Sequence, residues 1–112
     1  MKIYVRDVNT IYETTAHNPF MYKDIMYCTV ERKKEYRTND RPYQTHIVHV
    51  LTGQFIAYCK SKKAKDCIKH LEEIEKICNR TVADALTEAF GDDPNANINA
   101  DKWNKLITRL EK

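Results

Sequence analysis

Two hydrophobic rhythms divide the chain. From residue 61 onward the apolar side chains keep helical spacing: Ala64, Cys67, Ile68, Leu71, Ile74 and Cys78 fall three or four residues apart, which gathers them on one stripe of a helix. Ser61 precedes the stripe and is placed to cap it, its hydroxyl accepting from a free first-turn N–H. Lys69 with Glu73, and Glu72 with Lys76, form i,i+4 pairs on the outward face. A second helix opens at Thr81, with Asp84 three residues later as in a capping box. It carries Val82, Ala85, Leu86 and Ala89 and stops at Gly91. A third covers residues 100–110, with Trp103, Leu106, Ile107 and Leu110 on one side.

Residues 1–60 are rich in Tyr, Val, Ile and Thr and keep the rhythm of strands. The runs 45–51 and 54–59, separated by Thr52 and Gly53, predict a hairpin with a two-residue loop. That register sets Val50 against Phe55, Val48 against Ala57 and His46 against Cys59 on one face, and leaves Ile47, Ile56 and Tyr58 on the other. Strands apolar on both faces belong inside a sheet. Upstream, Met26, Cys28 and Val30 alternate with Thr29, Glu31 and Lys33 in a partner strand, joined to the hairpin through Arg37, Thr38, Asn39, Asp40, Arg41 and Pro42, all turn formers or chargeable residues. Residues 2–8 and 10–15 are weaker strands. Strands followed by helices is the α+β order. The expectation is one α+β domain over residues 1–112, with an antiparallel sheet of three to five strands and about three C-terminal helices packed on it.

A chain of 112 residues supports one modest core. Gly53 and Gly91 are its only glycines, too few for a P-loop or a dinucleotide-binding turn, which need several close backbone approaches to phosphate. Ser61 is the only serine and is assigned to a cap, which argues against a serine hydrolase. Charges interrupt every apolar stretch near the N-terminus, and the longest apolar run is Phe55–Cys59, far short of a membrane span. A cytoplasmic protein is expected, with Cys28, Cys59, Cys67 and Cys78 as reduced thiols.

The net charge is +3, unevenly spread: residues 22–65 hold ten Lys or Arg against four Asp or Glu, a net of +6, whereas residues 66–112 hold seven against ten, a net of −3. The excess sits in two places. One is the tip of the long hairpin, with Arg32, Lys33, Lys34, Arg37 and Arg41. The other is the start of the first helix, with Lys60, Lys62, Lys63 and Lys65. Unpaired N–H groups make a helix start electropositive, so lysines there are disfavoured by about 0.3–1 kcal/mol each when poorly screened. An anionic partner would reverse that sign. Tyr27, Tyr36, Tyr43 and Tyr58 could offer stacking platforms beside the lysines, Tyr36 and Tyr43 lying among the basic residues, with ordinary strand tyrosines as the default reading. Solvated surface charge is the plain alternative.

Other constellations are weaker. Cys59, Cys67, His70 and Cys78 have zinc-ligand chemistry but no close C-x2-C knuckle. His46 opposite Cys59 is the one base a thiol nucleophile could use, with no third group to orient it. His46 and His49, three apart on a strand, point to opposite faces. The run from Asp93 to Asp101 has the rhythm of a calcium loop, but Ile98 stands where its glycine belongs, and turn residues with Asn99 or a neighbour capping the last helix is the simpler reading. Glu72, Glu73 and Glu75 read as a solvated helix face. No cofactor, metal or catalytic set is expected. The predicted function is that of a non-catalytic interaction protein, an adaptor or inhibitor. It binds an acidic surface of a larger protein through the hairpin tip and the lysine-rich helix start. Nucleic-acid or nucleotide-phosphate binding by the same patch is the alternative, and pairing of sheet edges into a homodimer is a further expectation.

Overall fold

The computed structural model describes residues 1–7, 10–31, 45–91 and 93–111. Six strands precede three helices: β1 Lys2–Asp7, β2 Thr10–Thr15, β3 His17–Tyr22, β4 Ile25–Glu31, β5 Thr45–His49, β6 Phe55–Cys59, α1 Ala64–Cys78, α2 Val82–Phe90 and α3 Ala100–Glu111. The expected α+β class is found. Its strands form two antiparallel sheets, a β1–β2 hairpin and a four-stranded sheet in the order β3-β4-β5-β6.

The four-stranded sheet is the middle layer because β4 and β5 are apolar on both faces. Cys28, Val30, Val48 and Val50 face a cluster with Ile3 and Val5 of β1 and Leu106 of α3. Tyr27 and Ile47 face the opposite way, onto Cys67 and Leu71 of α1 and Val82 of α2. The hairpin and α3 therefore cover one face and α1 with α2 the other. No helix among the described residues is long and apolar enough to cross a membrane.

β3 has no counterpart in the periodicity. Asn18 takes a positive φ of 47° before Pro19, and the pairing with β4 shifts between His17 and Phe20. That bulge breaks the two-residue rhythm. The turn into β4 is the tight two-residue kind: Lys23 and Asp24 have φ of 49° and 65° between the paired Tyr22 and Ile25. Positive φ at both central residues matches the twist of a hairpin, but Lys-Asp lacks the usual Asn-Gly signature.

The β5–β6 register differs from the one the sequence predicts. His49 N–H donates to the Gln54 carbonyl (2.9 Å) and Gly53 N–H to the His49 carbonyl (2.8 Å), so residues 50–53 form the loop. Val48 then meets Phe55, Ile47 meets Ala57, His46 meets Tyr58 and Thr45 meets Cys59, with Ile56 as an extra residue in a bulge. Gly53 has φ +75°, and a Cβ there would stand 2.4 Å from the Tyr4 carbonyl oxygen. The loop is pressed against β1, where Arg6 N–H donates to the Gly53 carbonyl. Packing on β1 sets the loop, which at four residues is two longer than predicted and keeps Phe55 on the Val48 face; the extra residue Ile56 then turns Ala57 and Cys59 to the opposite face.

The helix bounds agree with the periodicity, and Thr81 caps α2 by accepting from Asp84 N–H (3.1 Å). Four local expectations fail. Ser61 does not cap α1: the N-cap is Lys63, with no side-chain bond, and the Ser61 hydroxyl accepts from Lys63 N–H in the preceding turn. Cys78 is exposed rather than part of the apolar stripe. The Asn99 side chain does not cap α3, although its backbone carbonyl accepts from Lys102 and Trp103 N–H at the helix start. It is fully buried, its Oδ1 accepts from Tyr4 N–H (2.8 Å), and its Nδ2 donates to the carbonyls of Tyr4 and Val50 (both 2.7 Å). Glu75 leaves the solvated face, with a side chain 9% exposed. It accepts from the Tyr22 hydroxyl, from Lys23 Nζ (2.8 Å) and from Val82 N–H at the start of α2 (2.8 Å). One carboxylate thus ties α1, the β3–β4 hairpin and α2 together. Burial pushes its pKa up, and the bonds from Lys23, Tyr22 and Val82 outweigh that and hold it below the ordinary carboxylate value.

Candidate functional site

Three strands end side by side where the lysines begin. Glu31 of β4 pairs with Thr45 of β5, and Thr45 pairs with Cys59 of β6, so Lys60 leaves the sheet beside Thr45 and one strand away from Glu31. The connection to α1 is shaped from both sides. Asn18 Nδ2 donates to the Lys62 carbonyl (2.9 Å) and Lys62 Nζ pairs with Glu31 Oε1 (2.5 Å). Lys60, Lys62, Lys63 and Lys65 are all exposed.

Their placement softens the electrostatic conflict implied by the sequence. Only Lys65 lies within the first turn of α1, where Asp66 offsets it, and Lys62 has Glu31 as counter-charge. The dipole penalty falls off within a turn, so it does not act on all four. Arg32, Lys33, Lys34, Tyr36, Arg37, Arg41 and Tyr43, the hairpin-tip part of the predicted site, lie outside the described residues. The flanks of that segment, Glu31 and Thr45, lie in the same row as Cys59.

Beside the lysines runs a groove of about 870 Å³. Its floor is β6 from Phe55 to Cys59, its wall is Asp66, Lys69, His70 and Glu73 of α1, and Lys60 and Ser61 close its end. Sequence reasoning placed Lys69 and Glu73 on a solvated face and missed this wall. The signal was present in the spacing, since 66, 69, 70 and 73 mark one side of a helix next to the buried stripe. Comparison with protein-family models, curated proteins and solved structures finds no match to this chain.

The other candidate chemistries separate in space. His46 shares its sheet face with Tyr58 and Phe55, its ring 4.8 Å and 5.0 Å from theirs edge-on. Cys59 faces α1 instead, with its Sγ 3.9 Å from Cys67 Sγ, so the pairing of His46 with Cys59 does not form. Burial, and then the neighbouring Cys59, push the Cys67 thiol up to about 12, the environment of an inert cysteine. Cys78 lies eleven residues beyond Cys67, about 16 Å along the helix. Among the described residues no three His, Cys, Asp or Glu side chains gather as a metal site. In the 93–101 segment Asp93 accepts from Asn95 N–H, and Asn99 is consumed by the core. His49 is held neutral: burial lowers its pKa to about 4, and its Nδ1 lies 2.8 Å from Thr52 Oγ1. A second hollow of about 850 Å³ next to Arg6 and Phe90 offers less. Its guanidinium already donates to the Thr52 and Ala96 carbonyls and sits over the Phe90 ring.

Proposed function

We propose that this chain is a small interaction protein, an adaptor or inhibitor, that binds an acidic surface of a larger protein through the basic end of its four-stranded sheet. The observation that carries this proposal is the juxtaposition of exposed Lys60, Lys62, Lys63 and Lys65 with a groove whose floor is apolar. Protein interfaces combine an apolar centre with a charged rim. The sequence adds Arg32, Lys33, Lys34, Arg37 and Arg41 between Glu31 and Thr45, two residues in the row that ends at the lysines. The groove wall favours a protein over a nucleic acid. It carries Asp66 and Glu73 beside Lys69, and those carboxylates would repel a phosphate backbone where a polypeptide of mixed charge could pair with both signs.

The test is affinity capture from native lysate, with and without nuclease, by the wild-type chain and by the Lys63→Glu/Lys65→Glu variant, which leaves the Lys62–Glu31 pair intact. A defined protein retained after nuclease and lost with the variant supports the proposal. Retention unchanged by the variant removes the lysines from the mechanism. Loss of all bound material after nuclease, with affinity falling steeply in salt, moves the patch to phosphate binding.

A further inference from the structure

Two of the four cysteines meet. Cys59 ends β6 and Cys67 closes the first turn of α1, and both point into the cluster between the sheet and the helix. Cys67 Sγ lies 3.9 Å from Cys59 Sγ and donates to it, with the Ser61 carbonyl at 3.6 Å as its other acceptor. A disulfide holds its sulfurs about 2 Å apart, so the pair stands one small adjustment from a bridge. The chain can make that adjustment locally. Lys63 begins α1 with no side-chain cap, and a shift of the first turn toward β6 therefore breaks no capping bond.

The two sulfurs differ in access. Cys59 is 5% exposed and lines the groove beside α1, whereas Cys67 is wholly buried. An oxidant of two oxygen atoms reaches a sulfur in the groove lining that a larger alkylating reagent does not. Burial and the neighbouring Cys59 keep Cys67 protonated, which makes it inert toward reagents from outside. Toward Cys59 it stands in contact, and a reaction between groups already held together gains the advantage of an intramolecular step. Cys28 supplies the contrast: it is equally buried, but in the cluster on the other face of the sheet.

We propose that Cys59 and Cys67 form a redox site for a hydroperoxide, which oxidises Cys59 from the groove and leaves a disulfide joining β6 to α1. In the first step the Cys59 sulfur attacks a peroxide oxygen; an S–O bond forms, the O–O bond breaks, and the other oxygen leaves with the thiol proton, as water when the oxidant is hydrogen peroxide. In the second the Cys67 sulfur attacks Cys59; the S–S bond forms, the S–O bond breaks, and the departing hydroxide leaves as water with the Cys67 proton. The two thiols together give up two electrons and two protons, and the peroxide takes them. A small thiol reverses the change by exchange. The bridge closes a loop that holds Lys60, Lys62, Lys63 and Lys65, and it removes the S–H donor from the Ser61 carbonyl. Oxidation thus fastens the segment that carries the basic residues. The site stands on the geometry of the pair and is independent of what those residues bind.

The experiment treats the full-length Cys78→Ser chain, freed of its exposed thiol, with hydrogen peroxide at neutral pH. Samples are quenched with catalase over time, denatured, alkylated with iodoacetamide and read by peptide mass spectrometry. A linked Cys59–Cys67 peptide lighter by two hydrogens should accumulate at least tenfold faster than the Cys28 thiol is lost, and dithiothreitol should restore both thiols. Amide exchange of residues 64–67 should slow at least tenfold in the bridged chain. With Cys67→Ser added, dimedone should trap a sulfenic acid on Cys59; with Cys59→Ser added instead, Cys67 should stay unmodified. Loss of Cys28 as fast as the bridge appears overturns the proposal, and so does oxidation of Cys59 to the sulfinic acid without linkage, or survival of both thiols. Dimedone labelling of Cys67 in the Cys59→Ser chain overturns the assigned order, and unchanged exchange at 64–67 overturns the fastening. The linked-peptide measurement decides the proposal even where a double variant fails to fold.

Discussion

Asn99 is the side chain on which the joining of β1 to the middle sheet most depends, and its removal gives a sharp stability prediction. The fully buried amide acts as a short length of strand, meeting both the N–H and the carbonyl of Tyr4 and also the Val50 carbonyl. Asn99→Ala removes all three bonds and leaves three backbone groups without partners. Each orphaned buried group costs about 1–3 kcal/mol, and partial solvation of the Tyr4 side puts the sum near 4 kcal/mol. With a urea slope of about 1.5 kcal/mol per M for a chain this size, the midpoint should fall by about 2–3 M. Asn99→Asp retains an acceptor for Tyr4 N–H but turns a donor into a carboxylate facing two carbonyls, so at pH 7 it should cost at least as much. Trp103 is the only tryptophan and lies one turn of α3 from Asn99, its backbone N–H donating to the Asn99 carbonyl (2.9 Å), so its fluorescence is a label-free probe of the transition. A midpoint shift below about 0.5 M for Asn99→Ala would refute the role assigned to this side chain.

Further predictions concern acid, glycine and thiols. His49, lowered from 6.5 to about 4 by burial, binds a proton in the unfolded chain before it does in the folded one. Stability should therefore fall as pH drops from about 6.5 toward 4, by up to about 3 kcal/mol, and His49→Gln should flatten that limb in urea titrations at stepped pH. Glu75, held below its ordinary value, stabilises above that value, and its contribution should be lost at still lower pH. Gly53→Ala meets the Tyr4 carbonyl at 2.4 Å as well as a positive φ, whereas a Cβ at Gly91 finds only Thr87 O at 3.9 Å. The first should cost about 3 kcal/mol or more and the second about 1, measured by thermal unfolding. Iodoacetamide at pH 8 should label exposed Cys78 alone in the native chain, with buried Cys28, Cys59 and Cys67 reacting only after denaturation, as read by peptide mass spectrometry.

Local periodicity made the helices legible, because the spacing of Cys67, Leu71 and Leu106 and the Thr81–Asp84 cap are decided within one or two turns of chain. β4, β5 and β6 were legible as strands for the same reason. Register was not. The loop at 50–53 is set by contact with Tyr4 and Arg6, more than forty residues upstream, and no feature of the hairpin's own sequence carries that information. The slip transferred His46 from Cys59 to Tyr58 and dissolved the thiol–imidazole pair. Asn99 and Glu75 misled in the same manner: both have the composition of surface residues, and only their long-range partners, Tyr4 and Val50 for one and Tyr22, Lys23 and Val82 for the other, turn them into buried ties.

The candidate site follows the same division between local and distant causes. The lysines were visible as a charge cluster, but their cost to α1 was overstated, because Asp66 and Glu31 were not counted as neighbours. The groove was invisible, since it exists only where the outer flank of α1 passes beside β6. α1 is drawn toward the opposite edge, where Asn18 holds the Lys62 carbonyl and Tyr22 and Lys23 hold Glu75. Those anchors at β3 set the course of α1 beside which the groove lies open. Loosening them should let α1 relax over the sheet, so Glu75→Gln should weaken whatever binds at β6 even though Glu75 lies outside the groove. Weakening of that binding by Glu75→Gln at a temperature where the variant remains folded would link the two edges. Binding equal to wild type would mean that α1 keeps its course without the Glu75 tie.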